Sequence, residues 1–190
     1  MQSLSVFDMF KIGIGPSSSH TLGPWLAARR FMDELDPPRS SMATITIDLY
    51  GSLAKTGKGH GTDIAVQMGL CDHDPTLADR TSIESCIQQI AQSKTLPLKN
   101  TRISFDPRRD IHFHYEVQLP EHPNALRFTA ILQDGTQREA VFYSIGGGFV
   151  LKEGEEPASN VQAAPPFPIE TAEDLLRYCD SDSKSICDIV

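Results

Sequence analysis

Two histidines set between glycines and hydroxyl-bearing residues are the first places to look for chemistry. One lies in Gly57-Lys58-Gly59-His60-Gly61-Thr62-Asp63. Glycine admits φ > 0 and the close approach of a ligand. Histidine titrates nearer neutral pH than any other unperturbed side chain. This stretch therefore reads as a flexible loop that presents a proton carrier, with Thr62 or Asp63 capping a helix through Ile64–Leu70. The second stretch is Gly13-Ile14-Gly15-Pro16-Ser17-Ser18-Ser19-His20-Thr21-Leu22-Gly23-Pro24. It places Ser17, Ser18, Ser19, His20 and Thr21 just ahead of a helix, where backbone N–H groups favour an anion such as a carboxylate. The bland alternative for both is a glycine-rich turn closed by a capping Ser, Thr or Asp.

Around these stretches the elements follow from periodicity. Ser5–Asp8 has the form of a capping box for a short helix through Met9 and Phe10. A longer helix runs from about Leu22 to Leu35 and stops at Pro37-Pro38. Ala43–Leu49 alternates as a strand with one buried face. Asp74-Pro75 marks a turn, and Thr81-Ser82-Ile83-Glu84 reads as a capping box for a helix ending near Ser93. From Thr101 to Lys152 the pattern is β: Arg102–Phe105, then Ile111, Phe113, Tyr115 and Val117, then Leu126–Leu132. Asp134-Gly135 predicts a hairpin returning over about Gln137–Ile145, and Gly146-Gly147-Gly148 interrupts it.

His112 and His114 are two apart on a strand and so share one face. No third ligand is evident, so a solvated outer face is the expected role and no metal site is assigned. His122 and Asn124 sit in a short loop between strands.

The bulk properties bound the rest. The chain has 190 residues with 39% hydrophobic and 22% charged content, enough for one domain with a real core and the start of another. Its 17 basic and 25 acidic side chains give a net charge of −8, which speaks against nucleic acid and acidic membranes as partners. No apolar run approaches the roughly 20 residues of a membrane helix, and the first residues lack a signal-peptide pattern, so a cytoplasmic location is expected. Cys71, Cys86, Cys179 and Cys187 show no Cys-x-x-Cys spacing and are expected to be free, mostly buried thiols.

After residue 153 the composition turns acidic and then proline-rich. The expected organisation is a domain over 1–153, a linker over 154–170, and the start of a helical domain over 171–190, opened by the capping box Thr171–Asp174. The chain ends on Ile189-Val190, so a fragment of a longer protein is the expectation.

SVFDMFKIGIGPSSSHTLGP and LYGSLAKTGKGHGTD, with EHPNALRF and FYSIGGGF, resemble the N-terminal β domain of the bacterial iron–sulfur L-serine dehydratases of the single-chain type. The resemblance covers roughly Ser5 to Leu151. It implies an α+β fold, an antiparallel sheet with helices packed on it, similar to the allosteric substrate-binding domain of phosphoglycerate dehydrogenases. It implies conversion of L-serine to pyruvate and ammonia, with a [4Fe–4S] cluster bound by a catalytic domain absent here and no cofactor in this chain. The whole enzyme would be a homo-oligomer, and this chain alone would be inactive. The resemblance assigns His60 as the α-proton base, or else as a ligand of the carboxylate. Ser17, Ser18, Ser19, His20, Thr21, Lys58, Thr62 and Asp63 become substrate contacts, with Asp63 suited to the ammonium and Thr62 to the carboxylate. His122 and Asn124 become a regulatory serine site. The alternative is a serine-sensing module with no catalytic group.

Overall fold

The computed structural model describes residues 13–35, 41–99, 101–155 and 167–189. The expected helix at Met9 and Phe10 and most of the linker lie outside them. Residues within 13–155 form one compact unit and residues 167–189 belong to another.

The first unit begins with a π-helical turn over Ser18–Leu22, whose N-cap Ser17 accepts from the His20 amide. The turn runs directly into helix α1 (Gly23–Glu34), with Pro24 in its first turn, where a missing N–H costs nothing. Strand β1 (Met42–Tyr50) follows, then α2 (Gly51–His60), α3 (Thr62–Leu70) and α4 (Arg80–Ser93). Short strands β2 (Thr95–Leu98) and β3 (Thr101–Ser104) form a separate ribbon. A single helical turn, α5 (Pro107–Asp110), leads to β4 (Ile111–His114). Strands β5 (Ala125–Leu132), β6 (Gln137–Gly146) and β7 (Phe149–Lys152) complete the main sheet, in the order β4-β1-β5-β6-β7.

The class is α+β, as expected, but the sheet is mixed. β4 pairs with β1 in parallel while the other neighbours are antiparallel. A parallel neighbour needs a long crossover, and everything from α2 to α5 forms it. Alternation alone cannot signal strand direction, which is why the antiparallel reading failed here. The strand at Ile111 also ends at His114, so Tyr115 and Val117 lie beyond it and are exposed.

Alternation is clean on β1. Ile45, Ile47 and Leu49 face the helices and are buried, with Leu126, Phe128 and Ala130 beside them on β5. Ala27, Ala28, Phe31 and Met32 of α1 and Val66 and Leu70 of α3 close this core. Phe31 stacks on Phe128 with ring centroids 5.1 Å apart. Trp25 anchors a second cluster with Ala65 and Met68, and its indole N–H donates to the His73 carbonyl at 2.8 Å. Arg30, Glu34, Lys152 and Glu155 tie the end of α1 to β7 by ion pairs.

Helix α4 starts two residues earlier than expected. Asp79 is the N-cap and Ser82 its reciprocal partner, in place of the Thr81–Glu84 box. Asp is a stronger cap than Thr, so the earlier start satisfies the helix better. The cysteines are also less buried than expected: Cys71, Cys86 and Cys179 are half-buried and Cys187 is exposed. In the second unit, α6 (Ala172–Asp182) begins with the Thr171–Asp174 capping box and is followed by a short α7 (Ile186–Ile189).

Helices α1 and α3 cross at Gly69. A Cβ there would lie 2.3 Å from the Trp25 carbonyl oxygen and 2.7 Å from the Ala28 Cβ. Ala is intrinsically better in a helix by about 1 kcal/mol, but the overlap outweighs that gain because both neighbours belong to a packed helix. Gly69→Ala is expected to destabilise the chain by about 1–3 kcal/mol in urea unfolding. An unchanged or raised midpoint would show that the helices part without cost.

Candidate active site

The glycine stretch is the end of a helix, not a flexible loop. Residues 51–60 are helical through Gly57 and Gly59, His60 is the last helical residue, and Gly61 closes the helix at φ 67°. That left-handed conformation suits glycine, and a Cβ there would only touch the Ile64 side chain at 3.9 Å, so any substitution would meet backbone strain rather than crowding. Gly61 is also the N-cap of α3, and neither Thr62 nor Asp63 makes a side-chain cap. Glycine-rich sequence argued for a loop; packing against β1, β4 and the π-helical turn overrides that propensity.

The two histidine stretches meet. The rings of His20 and His60 stand 4.9 Å apart at an interplanar angle of 38°. Two reciprocal bonds hold them. The Thr21 hydroxyl donates to the His60 carbonyl at 2.8 Å, and the buried Thr62 hydroxyl donates to the His20 carbonyl at 2.5 Å. His60 Nδ1 lies 3.0 Å from the Thr56 carbonyl one turn back. A carbonyl only accepts, so Nδ1 carries the hydrogen and the neutral ring has its lone pair on Nε2.

His20 is held at both ring nitrogens. Nδ1 meets the Ser19 hydroxyl and Nε2 the Ser52 hydroxyl, each at 2.9 Å. Burial, and then the neighbouring His60, lower the His20 pKa below its ordinary value of 6.5, while Ser52 opposes them. Ser52 lies in the first turn of α2, where its amide donates to the Pro123 carbonyl at 2.8 Å. Ser144 on β6 donates to the Ser19 carbonyl at 2.7 Å and thereby fixes the serine turn.

The other predicted residues divide. Ser17 Oγ takes the His20 amide at 3.2 Å. Ser18 is exposed, and with Ser17, Gly15 and Gly147 it lines a small cleft of about 150 Å³ to which neither histidine contributes. Asp63 is half-buried in the first turn of α3. Lys58 is not brought to the pair. Two residues apart on a helix do not face each other, and its ammonium sits 4.9 Å from the Phe113 ring centroid. His122 and Asn124 are placed in the loop that meets α2. His122 Nδ1 accepts from the Asn124 amide at 3.0 Å, and the Asn124 side chain donates to the Ser144 carbonyl at 3.2 Å. Sequence reasoning missed Ser52 and Ser144. Both lay within the matched stretches, Ser52 in LYGSLAKTGKGHGTD and Ser144 in FYSIGGGF, but neither stood beside a histidine in the sequence.

On the outer face of the sheet, Asp48 of β1 contacts both His112 and His114. The expectation of a merely solvated histidine pair is thus incomplete: the third side chain comes from a strand 64 residues earlier.

The α+β unit thus brings two histidines together among serine and threonine hydroxyls. The family model described as serine dehydratase beta chain matches residues 5–155, and the chain belongs to that family. It is 40% identical over 190 residues to L-serine dehydratase 1 of Escherichia coli K12, a match covering 96% of this chain and 41% of that protein. It is 41% identical over 187 residues to the L-serine dehydratase of Haemophilus influenzae, covering 94% and 40%. A match to the L-serine dehydratase of Streptomyces coelicolor is 37% identical over 191 residues, covering 97% and 42%. The chain spans about two fifths of the length of these curated relatives.

Two outcomes follow from this geometry. Thr62→Val keeps the side-chain shape but leaves the His20 carbonyl without its buried donor. It should cost about 1–3 kcal/mol in urea unfolding, and no loss would show the bond to be idle. The second concerns pH. The folded state disfavours protonated His20, so the unfolded chain binds that proton more readily. The resulting stability is present above about pH 6.5 and is lost as pH falls through the lowered folded value. Between about pH 7 and pH 5 the Tm of the wild type should therefore fall more steeply than that of His20→Gln. Parallel slopes would remove His20 from the account.

Proposed function

We propose that this chain supplies the substrate-contacting and proton-transfer side of an L-serine dehydratase, which converts L-serine to pyruvate and ammonia. The observation that carries this reading is the direction of the His60 ring. Its Nδ1–H is committed to the Thr56 carbonyl, so Nε2 is the basic atom, held beside His20 and the serine turn. A base for an α-proton must be neutral near working pH and fixed in direction. His60 is only half-buried at the helix end, which leaves it accessible. The lowered His20 pKa favours a neutral ring that positions hydroxyls rather than a second cation.

In this reading Ser18, with Ser17 and Ser19, meets the substrate carboxylate, and Asp63 meets the α-ammonium. Thr21 and Thr62 act through the backbone by holding the two histidines together. Removal of the α-proton with loss of the β-hydroxyl gives aminoacrylate. Its imine tautomer takes up water to release ammonia and pyruvate.

The family resemblance implies a [4Fe–4S] cluster that would act as a Lewis acid toward the leaving hydroxyl. The donors described here do not fit one. Cys71 hydrogen-bonds Cys86 beside His73, while Cys179 and Cys187 belong to the other unit. Each unit thus offers only two cysteines among the described residues, fewer than such a cluster needs. The cluster is therefore assigned, as part of the proposal, to the catalytic domain of the full-length enzyme, which would also be the homo-oligomer. A cytoplasmic location is likewise proposed. Among the described residues no helix is long and apolar enough to cross a membrane.

A second reading, a serine-sensing module, draws support from one chain of contacts. Asn124 bonds the Ser144 carbonyl, and the Ser144 hydroxyl bonds the Ser19 carbonyl. A ligand at His122 and Asn124 would thus act on the serine turn directly.

His60→Ala in a full-length, cluster-loaded enzyme separates the two readings. If His60 is the base, kcat should fall by roughly 10²–10⁴-fold with a smaller change in KM. If kcat stays within a few-fold and KM alone rises, His60 is a binding residue. If only the serine activation curve shifts, the sensing module is the better account.

A further inference from the structure

Away from the histidine pair, one set of three metal-ligating side chains converges among the described residues: Asp48, His112 and His114. The parallel register of β1 and β4 places Asp48 directly opposite His112, and His114 is two residues on, on the same face. Asp48 Oδ1 lies 3.0 Å from His112 Nδ1 and 2.6 Å from His114 Nε2. One ligand atom from each residue falls within 4.8 Å of the others.

The orientation of His112 is the informative detail. Its Nε2 lies 2.8 Å from the Arg109 carbonyl, which can only accept, so Nε2 carries the hydrogen. In the neutral ring the lone pair is then on Nδ1 and points at the Asp48 carboxylate. At this distance a proton bridges the two atoms, and a metal ion that took both as ligands would displace that proton as they move slightly apart. A bond from the non-ligating ring nitrogen to a carbonyl is also the arrangement that orients metal-bound histidines. His114 is fixed by stacking on Tyr50, with centroids 4.7 Å apart and planes 13° apart. Of the nearby cations, Arg127 stands opposite Asp48 on β5, but its Nε is 3.4 Å from Glu139 and its guanidinium lies over the Tyr50 ring. Arg109 pairs with Asp110. The side chains of His112 and His114 are 46% and 36% exposed, which leaves an open path for an ion and its waters.

We infer that Asp48, His112 and His114 bind a divalent transition cation of the Zn(II) or Co(II) class, with water in the remaining positions. Two imidazoles and one carboxylate suit these ions, whereas Mg(II) and Ca(II) demand more oxygen ligands. The ion would pin the edge strand β4 to β1, and it is independent of the serine chemistry at His20 and His60.

The test uses the 190-residue chain without an affinity tag. Zn(II) is titrated by calorimetry, Co(II) by visible absorption, and melting is followed with and without Zn(II). One equivalent of Co(II) should give d–d bands with no thiolate charge-transfer band, and Zn(II) should displace it and raise the Tm. Asp48→Asn should weaken binding by at least about 10-fold and abolish the Tm rise. If Asp48→Asn folds poorly, His112→Gln, at the most exposed of the three positions, decides the question by the same loss of affinity. Absence of saturable binding, binding unchanged in these variants, or a thiolate band that places the metal on cysteine would overturn the inference.

Discussion

Two threonine hydroxyls, each donating to the backbone carbonyl of the other stretch's histidine, hold the site together. Thr21 grips His60 and Thr62 grips His20. Hydrogen bonds to the backbone fix the chain path, and the bonds of the rings to Ser19, Ser52 and the Thr56 carbonyl then set the two imidazoles 4.9 Å apart. Both hydroxyls are largely or wholly shielded from water, where an unmade bond costs more than a made one gains. The site thereby depends on packing beneath it. α1 must cross α3 closely enough to bring the π-helical turn against the end of α2, and Gly69 permits that approach.

A second layer supports this clasp. The loop that contains Pro123 accepts the first amides of α2, and Ser144 on β6 donates to the serine turn. The sheet therefore does more than fill a core: β6 reaches the histidine pair through Ser19, and the β4–β5 connection reaches it through Ser52. The carbonyl of Asn124 and the amide of Ser144 are themselves bonded at 2.9 Å. Loop, strand and site form one connected polar network at the end of the sheet.

Much of this was legible in the residues. Alternation placed β1, β5 and β6 to within a residue or two, Asp134-Gly135 marked its hairpin, and Thr171–Asp174 its cap. The two histidine stretches were singled out, though only the fold could bring them together. What stayed hidden was non-local. The parallel partner of β1 lies beyond a long crossover, and Asp48 meets His112 only through that pairing. Helix α2 was hidden for another reason. Its three glycines weaken local propensity, and tertiary contacts restore what the sequence withholds. Once the stretch is helical, Lys58 and His60 must diverge, which no reading of it as a loop could have shown.

The order of the main sheet carries a consequence for solubility. Its two outer strands, β4 and β7, are only four residues long, while the inner strands run to eight, nine and ten. Short borders offer few unpaired backbone groups to a neighbouring chain. His112 and His114 on one border and Lys152 on the other add polar side chains that a docking strand would have to desolvate. The long, apolar strands that make the core are thus kept inside, and self-association by sheet extension is discouraged at both margins.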